Sequence, residues 1–163
     1  MKRILVPTDF SQHAEDALKV AAQIAKKDNS EIIILHMLEL PHQMNDAILG
    51  GKSIPETMLF MKKANEMLDE IASRSYLDGI PVTEIAKIDR PIHGISQVSK
   101  DYEIDLIVMG SHGSSGIQEL LIGSNTEKVV RNSEIPVLVI KKEILNFNAA
   151  NIVFASDFTS ETK

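Results

Sequence analysis

The sequence predicts an α/β protein built on a five-stranded parallel sheet with helices on both faces. Three observations predict it. Five short apolar runs are separated by segments whose apolar residues recur at helical spacing. The run from Glu31 to Leu38 has a nearly unbroken apolar core, as in a strand covered on both faces. The chain has 163 residues, 44% of them hydrophobic, which suits one ordinary domain with a real core. Strands alternating with helices in this way are the pattern of a parallel sheet wound by crossovers.

Strand one is expected at Ile4 to Pro7. Ser11 is placed to cap a helix that carries Ala14, Leu18, Ala21, Ala22 and Ala25 on one face. Glu31 to Leu38 forms the second strand. From Glu39 to Thr57 the chain becomes irregular, with Pro41, Gly50, Gly51 and Pro55, and is long for a simple connection. A helix is expected from about Pro55 to Leu77, with Met58, Met61, Ala64, Met67, Leu68 and Ile71 as its apolar stripe. Four of the seven methionines, Met44 included, fall in this insertion and helix, where a flexible thioether fills core gaps or adapts to a partner. Pro81 to Lys87 is the third strand, followed by a helix from Ile92 to Tyr102 with Ile95, Val98 and Tyr102 turned inward. The fourth strand ends at Met109, a helix runs from Thr126 to Arg131, and Val137 to Ile140 is the fifth strand.

Composition narrows the function. Seventeen basic against 23 acidic residues give a net charge of −6, with no basic block and no aromatic-interleaved patch. That argues against nucleic acid as a main partner, because backbone binding needs clustered Lys and Arg. The apolar runs are strand-sized, so no membrane span is expected. Lys2 and Arg3 lead straight into a strand without a secretory apolar region. Cysteine is absent, which removes disulfides and thiolate metal sites. The cytoplasm is the expected location.

The richest stretch is Met109-Gly110-Ser111-His112-Gly113, followed after nine residues by Gly123-Ser124. Glycines at a strand's carboxyl end allow a tight turn and let backbone N–H groups approach an anion. A Gly-Ser at a helix start adds free amides, a hydroxyl and the positive end of the helix dipole. Two such donor clusters could hold a polyphosphate between them; the same glycines could also serve only turns and caps. The ordinary P-loop is excluded, since no Gly-Lys-Ser/Thr follows. Asp9, Met37 and Gly110 all fall at strand carboxyl ends, where ligands sit in such sheets. The Asp9 carboxylate suits ribose hydroxyls or an adenine amine, and equally a helix cap.

In these features the chain resembles the universal stress proteins. Their nucleotide-binding members carry Gly-x2-Gly-x9-Gly-Ser/Thr, present here in full as Gly110, Gly113, Gly123 and Ser124. The opening Ile4-Leu5-Val6-Pro7-Thr8-Asp9-Phe10-Ser11, the run Ile34-Leu35-His36-Met37 and Pro136-Val137-Leu138-Val139-Ile140 match too, so the resemblance covers roughly residues 2 to 142. It implies a Rossmann-like fold of the adenine nucleotide alpha hydrolase type. It also implies ATP, with Mg²⁺ as a possible companion, held by Pro7, Thr8, Asp9, Met37, Met109, Gly110, His112, Gly113, Gly123, Ser124, Asn125 and Thr126. In that scheme Asp9 and the backbone at Met37 hold the nucleoside, Gly110 lies near the ribose, and residues from His112 onward hold the triphosphate. Two positions depart from the family pattern. Asn125 stands where a small apolar residue is usual, and Asp89 stands two residues before Pro91 where Gly is common, so that it could narrow the pocket or repel phosphate.

No catalytic set stands out. The five histidines (13, 36, 42, 93 and 112) form no His-x3-His or His-Glu-x2-His pattern, so no metal site is expected. No Lys or Arg lies between Gly110 and Gly123, so efficient phosphoryl transfer lacks a neutralising cation. The expectation is a nucleotide-dependent stress-response or regulatory module, at most a weak ATPase. The alternatives are a protein-interaction domain without nucleotide and a slow ATP hydrolase. Val137 to Ile140 would be an exposed apolar edge in a monomer, and the resemblance implies a homodimer through it or pairing with a second repeat. Finally, residues 151–159 echo residues 3–11 at a constant offset of 148, with Ile152, Asp157 and Phe158 matching Ile4, Asp9 and Phe10. The expected organisation is one domain over residues 1–143, a linker at 144–150, and at 151–163 the first strand and turn of a truncated second repeat.

Overall fold

The computed structural model describes residues 1–39, 54–111 and 123–153. Five strands, β1 (Arg3–Thr8), β2 (Glu31–Leu38), β3 (Val82–Ile88), β4 (Leu106–Gly110) and β5 (Val137–Ile140), form one sheet in the order β3-β2-β1-β4-β5. Every pairing in it is parallel. Between them lie α1 (Gln12–Asp28), α2 (Ile54–Ala72), α3 (Pro91–Asp101) and α4 (Ser124–Asn132).

Alternation along the strands divides the core into two layers. Ile4, Val6, Ile32, Ile34, Val108 and Ile140 pack with the alanine face of α1 and with Leu68 of α2. Leu5, Ile33, Leu35, Ile107 and Met109 pack on the other face with Ile95 and Val98 of α3 and Val129 of α4. Small side chains on α1 (Ala17, Ala21, Ala22, Ala25) let that helix lie close to the central strands. Its ends follow the sequence: Ser11 Oγ accepts from the Ala14 N–H, and Asn29 closes the helix in the left-handed conformation at φ 54°.

Three local expectations are corrected. The helix expected to reach Leu77 ends at Ala72, and Ser75–Leu77 forms a separate 3₁₀ turn that buries Leu77. Met58 does not join the buried stripe; it is 66% exposed, because α2 meets the sheet only further along, through Ala64 and Leu68. Tyr102, expected inward, is the C-cap of α3 and exposed, since the helix has ended where its ring would have turned in.

The stretch after β5 has no regular secondary structure but lies on α1. Gln23 Nε2 donates to the Ile144 carbonyl (3.1 Å), and the Phe147 N–H donates to Gln23 Oε1 (2.7 Å). Lys19 Nζ meets Glu143 Oε1 at 2.8 Å, and Ile144 and Phe147 pack against the core.

Candidate functional site

The sheet's direction of growth reverses between β1 and β4, and open α/β sheets hold ligands outside the carboxyl ends at that point. A cleft of ≈ 370 Å³ lies there. Nine of the twelve residues expected at the site line it: Pro7, Thr8, Asp9, Met37, Met109, Gly110, Gly123, Asn125 and Thr126. Ser124 is exposed and does not line it, and His112 and Gly113 lie outside the described residues. Ala14, Leu35, Glu39, Pro91 and Ile95 complete the walls and were not anticipated. Strand periodicity could have found Leu35, two residues before Met37 on the same face. Ile95 was expected inward, but only packing could show that its inward face also borders the cleft.

At the end of β1 the chain reverses through Phe10, which takes the left-handed conformation at φ 64°. That conformation is uncommon for a bulky residue and holds only where its surroundings enforce it. Here the Phe10 N–H donates to Thr8 Oγ1 (3.0 Å), and its ring lies 4.3 Å from that of His36 on β2. His36 Nδ1 lies 2.9 Å from the Thr8 carbonyl, which can only accept, so this nitrogen carries the proton. Asp9 Oδ1 accepts from the Ser11 N–H (3.1 Å), so this carboxylate supports the turn while lining the cleft.

The opposite wall comes from β4 and α4. Gly110 is required by packing: a Cβ there would stand 2.8 Å from the backbone C and O of His13, in the first turn of α1. Its carbonyl accepts from Thr126 Oγ1 (2.8 Å, buried). The Gly123 N–H donates to the Ser111 carbonyl (2.7 Å), and the Ser111 N–H to the Ile140 carbonyl (2.8 Å). These bonds tie the start of α4 to the ends of β4 and β5. No side chain caps α4 among the described residues. The first-turn amides of Ser124, Asn125 and Thr126 are therefore donors the helix does not use, at the positive end of its dipole. Asn125 does not impair this, since the amide serves whichever side chain is present.

Asp89, the residue expected to narrow the pocket or repel phosphate, does not line the cleft. Its Oδ2 accepts from His93 Nδ1 (2.7 Å) and lies 4.0 Å from Lys87 Nζ, while Oδ1 accepts from the Arg90 N–H (2.7 Å). Burial works to raise its pKa, but the His93 and Arg90 hydrogen bonds and the nearby positive charges outweigh it. The carboxyl is held below the usual carboxylate value. Among the described residues no Lys or Arg lines the cleft, and no His, Asp and Glu group is placed to hold a metal ion.

The cleft thus has two ends. Leu35, Met37, Pro91 and Ile95 make an apolar end between β2 and α3, while Asp9 and the start of α4 make a polar, donor-bearing end. An open parallel sheet with such a cleft at its switch point defines a doubly wound α/β protein. The model of the universal stress protein family matches residues 1–141. This chain belongs to the universal stress protein family.

The universal stress protein MJ0577 of Methanocaldococcus jannaschii is 33% identical over 155 residues, covering 87% of this chain and 96% of the relative. YxiE of Bacillus subtilis is 28% identical, covering 85% of this chain and 98% of the relative. The solved structure of MJ0577 superposes with a TM-score of 0.72 over 85% of this chain and 94% of that one. A universal stress protein from Archaeoglobus fulgidus in complex with dAMP is 21% identical, with a TM-score of 0.61 over 85% of this chain and 97% of its own, a likeness of fold. Among the described residues no helix is long and apolar enough to cross a membrane.

Proposed function

We propose that the cleft binds an adenine nucleotide, with ATP and its Mg²⁺ as the expected form, and that the protein acts as a nucleotide-dependent stress-response or regulatory module. One observation carries the reading. A helix start with no side-chain cap among the described residues, a carboxylate and an apolar slot line a single cleft at the switch point of the sheet. A flat heterocycle suits the apolar end, a ribose suits Asp9, and phosphates suit the amides of α4, which favour anions. His112 and Gly113 belong to the proposed phosphate-holding set through their place in the glycine pattern. The described lining offers no cation to neutralise a γ-phosphate, which supports binding over efficient hydrolysis. A cytoplasmic setting, where such a module meets a nucleotide pool, is part of the reading.

Calorimetric titration with Mg-ATP, AMP and GTP tests it. Saturable ATP binding, weaker for AMP, is the expected result; no heat with ATP at millimolar concentration sinks the proposal. The interaction-domain alternative relied on Asp89 excluding nucleotide, and the engagement of Asp89 by His93 removes that support.

We also propose that β5, among the described residues an edge strand paired only to β4, joins a second copy or a second repeat. In support of a repeat, the chain matches 44% of a longer universal stress protein chain from Archaeoglobus fulgidus, at 27% identity and a TM-score of 0.59. Light scattering that reads a monomer across micromolar concentrations removes the homodimer.

A further inference from the structure

Met37, next to last in β2 and on the apolar wall of the cleft, meets Gly94, which is buried in α3. A Cβ built at position 94 would lie 2.8 Å from the Met37 Sδ and nearer still to its Cε. The thioether therefore occupies the space that the side chain of any other residue at 94 would claim. Backbone conformation does not call for glycine here: Gly94 sits within regular helix, and its φ is not positive. A glycine inside a helix is otherwise unfavourable, because it adds backbone entropy to be lost on folding. Its use at 94 is the recess it leaves.

We propose that Gly94 forms a recess that draws the Met37 thioether out of the cleft, and that this pair sets whether a planar base can enter the apolar end. The inference rests on the nucleotide reading and names the pair that controls base entry at that site. Met37 packs against the buried layer that holds Leu35 and Ile95, and on its other side lines the cleft. A displaced thioether therefore moves toward the open volume of the cleft. Met is unbranched and changes rotamer readily, so filling the recess moves the side chain rather than the helix. The phosphate-facing end, built by α4, lies on separate elements and is untouched.

The experiment is calorimetric titration of the whole chain and its variants with Mg-ATP and with AMP. Gly94→Ala is expected to weaken both ligands by the same factor, roughly tenfold or more, because the displaced thioether stands where the base would enter. Adding Met37→Ala to Gly94→Ala removes the displaced thioether and is expected to restore both affinities. Wild-type chain that fails to bind ATP overturns the nucleotide reading and this inference with it. Wild-type binding with Gly94→Ala unchanged overturns the inference alone, as does a Met37→Ala/Gly94→Ala chain that still binds weakly. A loss for ATP much larger than for AMP places the damage at the phosphate end and also overturns it. Should Gly94→Ala prove too unstable to titrate, the doubly substituted chain decides: ATP binding supports the recess, and its absence refutes it.

Discussion

Gly110→Ala is the sharpest test of how the site is held, because the glycine is needed by another backbone. The added Cβ would stand 2.8 Å from the His13 carbonyl carbon and oxygen and 3.0 Å from the His13 Cβ. Non-bonded carbon atoms prefer about 3.5 Å or more, so the first turn of α1 must withdraw from β4 by roughly half an ångström or more. No side-chain rotation relieves the clash, since two of the three atoms are main chain. Forced backbone shifts of this kind cost about 1–3 kcal/mol. For a chain of this size each kcal/mol lowers the melting temperature by roughly 2–4 °C. Urea unfolding and calorimetric melting of Gly110→Ala beside Gly94→Ala read the difference directly. Gly94→Ala meets chiefly the flexible end of Met37, and alanine is the better helix former, so it is expected to cost less than about 1 kcal/mol. If Gly110→Ala matches wild type, or if Gly94→Ala is the more damaging, the argument that α1 presses on β4 at this point is wrong.

Two further predictions concern neighbouring parts of the site. Thr126→Val deletes the buried 2.8 Å bond to the Gly110 carbonyl and should destabilise by about 1–2 kcal/mol in urea unfolding, whereas Thr126→Ser keeps the hydroxyl and most of the stability; equal losses would deny the bond its role. The Asp89 carboxyl is held below its ordinary value of 3.8, so its contribution is present in full above that value and lost as pH falls through the folded pKa. Asp89→Asn should therefore flatten the acid-side decline of melting temperature, and an unchanged profile would show that the His93 contact contributes nothing measurable.

Much of the architecture was legible because it rests on local pattern. Each of the five strands is a short, strand-length segment between helical ones, most of them apolar throughout, and each falls where expected within a residue or two. Asp9, Met37 and Gly110 could be placed at strand carboxyl ends from that pattern, and the structure brings them to one cleft. The misses were contextual. Met58 keeps the helical stripe, but a stripe cannot say where along its length a helix touches the sheet. Asp89 carries a charge whose effect depends on His93 one turn away and on Lys87, and sequence supplies no direction for its side chain. The docking of residues 144–147 on α1 was equally beyond local pattern, because Gln23 pairs with both the Ile144 carbonyl and the Phe147 N–H, a match between groups more than a hundred residues apart.

The sequence by itself determined the class of fold, the strands and the residues that gather at their carboxyl ends, because hydrophobic periodicity and glycine placement act over a few residues at a time. Tertiary structure alone decided what those residues touch. Gly110 yields to the backbone of α1, Gly94 to a thioether from β2, and Phe10 is held in a left-handed turn over His36. Each of these contacts joins segments distant in the chain, and only the packed sheet brings them within van der Waals reach.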